Sequence, residues 1–184
     1  MKRTGWIVIG LGLLALVLAG GAFMVGRLLG GGNGNPGAGD GAKVSIGTGN
    51  GEMVQVDFVK AQELPEEPPD VVGAFARRQD NSIFVDETDG GFVLAPNDDG
   101  TLSVANATGK ISEIVVTAKT AVYANLTLEH LDEAAASGIL RQQIELGTVE
   151  EIGELSFVQA WGEMRGDRLL ASVLLYARPP VISR

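Results

Sequence analysis

The chain offers little reactive chemistry, and what it offers can be taken residue by residue. His130 is the only histidine in 184 residues, and there is no cysteine. A Ser-His-Asp relay therefore has to be built around His130. That residue stands in Leu128-Glu-His-Leu-Asp-Glu133, an amphipathic helix start where a surface imidazole needs no catalytic duty. No serine occupies a Gly-x-Ser-x-Gly elbow. The lack of cysteine removes thiol nucleophiles, zinc–thiolate sites and a lipid-modified cysteine. Paired carboxylates are the raw material of glycosidases. Yet beyond Trp6 the only tryptophan is Trp161, and Trp161 with Tyr123 is thin provision for a sugar platform. An enzyme is not expected.

Oxygen ligands are better supplied. Asp86-Glu-Thr-Asp89 and Asn97-Asp-Asp-Gly100 gather carboxylates and an amide at turns, the donors that calcium prefers. Asp86, Asp89, Asp98 and Asp99 are the candidate calcium ligands, and no other cofactor is implied. Neither segment follows the twelve-residue calcium loop, and hairpin turns recruit the same Asp, Asn and Gly for their own geometry. Gly47-Thr-Gly-Asn-Gly51 imitates a phosphate loop, but no Lys-Ser/Thr pair or helix pattern follows it. Arg165-Gly-Asp167 has the composition of an adhesion tripeptide and the position of a hairpin turn. Asn106-Ala-Thr and Asn125-Leu-Thr fit a glycosylation acceptor, which matters only where that machinery exists. Phe157 and Trp161 fall on one face of a strand, as core residues or as a ligand face.

The elements that position these residues are mostly strands. Lys43–Ile46 and Val54–Phe58 have the two-residue period of half-buried strands. Glu63–Asp70, with three prolines and four acids, is an extended connector. Val71–Arg78, Ser82–Asp86, Phe92–Ala95 and Thr101–Ala105 follow as strands, separated by turn residues at Asp80-Asn81, Thr88–Gly91 and Asn97–Gly100. Ile111–Thr117 is apolar enough for a strand buried on both faces. After the strand Val122–Leu126 comes the one clear helix, capped by Thr127 and stopped by Gly138. Leu140–Leu146 resumes strand character. Thr148-Val-Glu-Glu151 is a capping box opening a single turn. Phe157–Met164 and Arg168–Arg178 form a long hairpin in which Gly166 or Asp167 takes positive φ. Strands spaced in this way predict a mainly β domain, an antiparallel barrel or sandwich with one or two short helices.

The N-terminus sets the address. Gly5–Gly26 is an uncharged, proline-free run of 22 residues, about 33 Å as a helix and long enough to span a bilayer. Lys2 and Arg3 precede it and keep residues 1–4 in the cytoplasm. Residues 5–27 are thus expected to be a transmembrane signal anchor. The alternative is a signal peptide cut near Ala19–Ala22 to release a secreted domain, although such apolar regions are shorter. Gly12, Ala15, Ala19, Ala22 and Gly26 line one helix face and permit close approach of a second copy. Residues 28–51 are glycine-rich and read as a flexible tether. Residues 52–184 form the outer domain, with the acidic connector at 63–70.

Three of the 14 basic residues flank the apolar run, and none of the 23 acidic residues precedes Asp40. Eleven basic groups against 23 acidic ones leave the remainder at −12. Such a body repels nucleic acid and anionic headgroups and suits cations or basic partners.

Thr148-Val-Glu-Glu-Ile-Gly-Glu-Leu155, Val158-Gln-Ala-Trp-Gly-Glu163 and Gly166-Asp-Arg-Leu-Leu-Ala-Ser-Val-Leu-Leu-Tyr176 together resemble the tail of small OB-like β-barrel domains of unknown function in bacterial envelope proteins. Val115-Val-Thr-Ala-Lys-Thr-Ala-Val-Tyr123 is similar to a strand pair of the same domains. The resemblance covers residues 75–178 and implies an OB-like barrel in an uncharacterised single-pass envelope protein. Leu128–Gly138 is a helical insertion relative to a minimal five-stranded barrel. The resemblance carries no activity onto particular residues. The expected function is a non-catalytic interaction or structural module that meets membrane lipid through its anchor and an envelope protein through its domain. A calcium or small-ligand sensor is the alternative.

Overall fold

The computed structural model describes residues 42–47, 53–88, 94–96, 102–104 and 107–178. The apolar run 5–27, with its small-residue face, lies outside the described residues, as do Asp89, Asp98 and Asp99. Among the described residues no helix is long and apolar enough to cross a membrane.

Five strands close a small mixed barrel. They are β3 (Val71–Gln79), β4 (Ser82–Thr88), β7 (Ala107–Val115), β11 (Phe157–Arg165) and β12 (Arg168–Ala177). Antiparallel pairing links β3 to β4, β4 to β7, β11 to β12 and β11 to β3. The ring is sealed by parallel pairing of β12 with β7, from Arg168↔Glu113 to Leu170↔Val115. Purely antiparallel closure was expected, and this one parallel seam makes the barrel mixed. Further along, β12 leaves β7 and pairs in parallel with β8 (Ala121–Asn125), which in turn carries β10 (Ile144–Leu146) at the sheet edge. β5 (Leu94–Pro96) and β6 (Leu102–Val104) form a separate two-stranded ribbon.

The barrel interior follows from side-chain alternation. Leu169 and Ala171 face inward, a bulge at Ser172 shifts the register, and Leu174 and Tyr176 face inward beyond it. Ile83, Val85, Ile114 and Val158 complete the centre, each essentially without solvent contact. Past the bulge β12 is buried on both faces, because Leu175 lies under a covering segment while Leu174 and Tyr176 fill the core. That double burial was expected of Ile111–Thr117 and is absent there. Ile111 is 50 % exposed and only Ile114 of this strand is fully buried, since no described segment covers the outer side of β7.

A second, smaller core sits beside the barrel. β1 (Ala42–Gly47) pairs antiparallel with β2 (Met53–Val59), and β2 pairs in parallel with β9 (Ile139–Arg141). β1 falls within residues 28–51, so the paired structure begins inside the glycine-rich stretch. The helix α1 (Leu131–Ser137) packs on this sheet, burying Ala134 with Ile46, Val56 and Leu140. Gly138 ends α1 at φ +74°, with its N–H on Ala134 O, as its place in the sequence predicts.

Thr127 does not cap this helix. A 3-10 turn, Thr127–His130, precedes α1, and both the N–H and the hydroxyl of Thr127 turn back to donate to Asn125 Oδ1. The local Asn-Thr bond outcompetes the cap and bends the chain out of β8. Leu140–Leu146 is likewise not one strand. It divides at Gln142-Gln143 into β9 and β10, which belong to different sheets. Gln142 N–H goes to Val59 O and Gln143 N–H to Thr127 Oγ1, so the backbone is spent on two directions at once. The capping box at Thr148 is present and opens the turn Val149–Glu151, with Thr148 N–H 3.4 Å from Glu151 Oε2.

Candidate functional site

The acidic, proline-rich connector is more than a spacer. Residues 60–70 lie as a strap across the outer wall of β11 and β12. Leu64, alone among prolines and acids, is 5 % exposed and seated against Trp161 and Leu175, with Ala61, Tyr123 and Val173 around them. Burial of such a side chain is worth about 2 kcal/mol. Trp161 is 3 % exposed, and its indole N–H donates to Glu67 O at 2.8 Å. Lys60 Nζ stands 5.9 Å above the same ring and donates to Pro65 O. Burial pulls the Lys60 ammonium below its ordinary pKa, and Glu67 and Glu66 offset part of that.

The strap also repairs the bulge in the barrel wall. Where β11 and β12 slip register between Trp161 and Gly162, backbone groups lose their ladder partners. Asp70 Oδ2 accepts Gly162 N–H at 2.9 Å, Ser172 Oγ donates to Trp161 O at 3.1 Å, and Thr120 Oγ1 donates to Ala171 O at 2.8 Å. Gly162 itself is obligatory, since a Cβ there would lie 2.1 Å from Leu170 O.

An open cleft of about 590 Å³ is left between the strap, this bulge and the β7–β8 turn. Pro65, Glu67 and Pro68 form one wall, Thr117 and Lys119 the other, and Gly162, Glu163 and Ser172 lie in the floor. The hydrogen-bonding groups of the floor are engaged within the protein. The cleft therefore offers an incoming molecule shape, the Glu67 carboxylate and the Lys119 ammonium.

The other candidates are scattered. His130 Nδ1 lies 3.4 Å from Glu133 Oε2 on the surface of the small core, remote in sequence from the strap. Asp86 is in β4, and its Oδ1 accepts the N–H of Gly109, a residue at φ +77°. That bond holds the irregular end of the β4–β7 pairing. Its neighbour Glu87 is pushed up by burial, but hydrogen bonds from Lys110 and Ser112 and the Lys110 charge outweigh this and hold it below the usual carboxylate range. Among the described residues no three acidic or histidine side chains converge as a metal site. Gly166 and Asp167 are the two-residue hairpin turn, with Gly166 at φ +68° and Arg165 bonded to Glu163 at 3.0 Å. Asn125 is buried against Thr127. Phe157 and Trp161 share the outer face of β11, not the barrel interior.

One cluster had no signal in the sequence. Tyr176 reaches from the barrel core to donate its hydroxyl to Glu151 Oε2, while Arg178 Nη2 bonds Glu151 Oε1 at 3.2 Å. The Tyr176 bond, then the Thr148 N–H, lower the Glu151 pKa; burial, then the Glu151 bond, raise that of Tyr176. Gly147 makes room for the ring, as a Cβ would meet the phenol oxygen at 2.6 Å.

No protein-family model, curated protein or solved structure matches this chain.

Proposed function

We propose that the chain is a non-catalytic interaction module of OB-like connectivity, held outside the cytoplasm by residues 5–27 as a signal anchor and by the glycine-rich tether. The OB-like reading is supported by strand order. β3, β4 and β7 form a meander, β7 runs parallel to β12, and β11 returns to β3, with the helical material inserted between the third and fourth barrel strands. The address rests on the length of the uncharged run. The acidic body disfavours nucleic acid and leaves an envelope protein as the partner.

The observation that carries the interaction reading is the strap. A proline-rich polypeptide already lies on the barrel's outer wall, held by an aromatic contact and a bond to its backbone carbonyl, which is how proline-rich segments are recognised elsewhere. The wall is thus suited to receive extended chain. A photo-crosslinking residue at Glu67, activated in intact membranes, is expected to yield one defined adduct with an envelope protein. Extraction of the chain with no adduct, or its recovery in the cytosol, counts against the reading.

The cation alternative draws on Asp86 in β4, whose Oδ1 accepts the Gly109 N–H at the irregular end of the β4–β7 pairing. A rise in melting midpoint with added calcium, lost in Asp86→Asn, would favour it.

A further inference from the structure

β11 outruns its neighbour on one side. β3 pairs with it only from Phe157↔Ala74 to Ala160↔Val71, although β11 continues to Arg165. The strap carries the contact a little further. Asp70 N–H donates to Ala160 O at 2.9 Å, and Asp70 Oδ2 accepts Gly162 N–H at 2.9 Å. The contact ends there, because Pro69 and Pro68 have no N–H to offer a ladder. On the other side the same stretch is occupied, since β12 pairs with Gly162 through Arg165. The outer end of β11 is therefore a strand edge, and among the described residues no segment pairs with it.

The hairpin fixes which groups that edge presents. Arg165 and Arg168 flank a two-residue turn and exchange both backbone hydrogen bonds, as Glu163 and Leu170 do. Met164 N–H, Met164 C=O and Gly162 C=O consequently point away from β12, into the open side. Side-chain faces follow from alternation. Glu163 stands on the outer face with Trp161, over the cleft, and Met164 stands on the opposite face, 54 % exposed. Natural edges are blunted by proline, by charge or by cover. Here the prolines belong to the strap and not to β11. β10, the edge strand at the far side of the large sheet, is three residues long and does not line the cleft.

Charge and apolar exposure choose the occupant. The cleft beside the edge is lined by Glu67, Asp70 and Glu163 against Lys119. Glu163 also bonds Arg165 at 3.0 Å, an exposed pair that costs little to share. An antiparallel strand laid on β11 in line with β3 sends alternate side chains to the acidic face and to the Met164 face. We propose that the outer end of β11 receives, by β-addition, an extended segment of another protein in which basic side chains alternate with apolar ones. The basic ones lie over Glu163 and Glu67, and the apolar ones beside Met164. This rests on the proposed interaction reading and supplies its docking mode and the partner's chemistry.

The test uses the full-length chain and short labelled peptides alternating lysine and valine, read by fluorescence anisotropy. The valine opposite Met164 exchanges both backbone bonds with it, whereas the lysine N–H groups face outward. N-methylation of the valines is expected to weaken binding about tenfold, and N-methylation of the lysines to leave it unchanged. Met164→Pro removes the outward N–H of an edge residue and no bond to β12, and is expected to weaken the unmodified peptide to the same degree. A peptide with glutamate in place of lysine is expected not to bind. Absence of saturable binding below about 1 mM overturns the proposal, as does equal binding of the two methylated peptides or of the lysine and glutamate peptides. A Glu67 adduct in membranes that survives Met164→Pro removes β-addition and leaves the interaction reading standing.

Discussion

The barrel and the small sheet beside it bury apolar residues by different means. The barrel core is enclosed by strands that all follow Val71, and its centre holds Leu169, Leu174 and Val158 without solvent contact. Among the described residues the small core buries Ile46, Val56, Ala134 and Leu140, drawn from an N-terminal hairpin and an insertion almost eighty residues later. One region is a closed fold and the other an assembly of parts. The barrel's buried cluster draws on no residue before Val71, whereas the small core exists only where the N-terminal strands are docked.

Emptying each core in turn separates the two regions. Leu174→Ala in the barrel is expected to cost about 4 kcal/mol and to lower the denaturation midpoint of the whole domain. Gly162→Ala forces a Cβ into Leu170 O and is expected to cost about 3 kcal/mol, again globally, since it wedges two barrel strands apart. Leu140→Ala should cost about 2 kcal/mol but locally. Hydrogen exchange is then expected to speed up at β1, β2 and β9 while barrel amides keep their protection, and a uniform loss would erase the distinction between the regions. Trp161→Phe removes the pyrrole part of the indole together with its bond to Glu67 O, so about 2 kcal/mol is expected from lost packing and lost bond combined, read as faster proteolysis within the strap.

The smallest effect concerns pH. Glu151 has a lowered pKa in the folded state, so its contribution is present above the unfolded carboxylate value and is lost as pH falls through the folded one. Tyr176 has a raised pKa, so its contribution is present below the unfolded phenol value and is lost as pH rises through the folded one. Tyr176→Phe should flatten both limbs of the stability–pH curve, and an unchanged acid limb would show that the Glu151 bond does not form in solution.

How much of this was legible in the sequence varied with the range of the forces involved. Alternation in Val54–Phe58 and the Gly166 turn are local, and the strands and hairpin they announce are there. Gly138 and Thr148 stop and start their turns for reasons carried within four residues. Thr127 departs from its cap pattern because a nearby partner, Asn125, takes its hydroxyl. The break at Gln142 depends on Val59 and Thr127, neither of them close in sequence. For the candidate site, the acidity and prolines of 63–70 were plain, and Leu64 among them was the one hint of docking. The bond from Trp161 to Glu67 spans 94 residues and has no local signature. The same holds for the parallel seam between β7 and β12, which no periodicity announces.

That seam has a consequence for how the molecule breathes. It consists of three residue pairs, against five where the same strand continues along β8. Few bonds need to part there for the cylinder to gape, so solvent should reach Ile114 and Leu169 through this slit before the long hairpin frays. A protein built this way has a defined line of first rupture, set by where one strand changes neighbours.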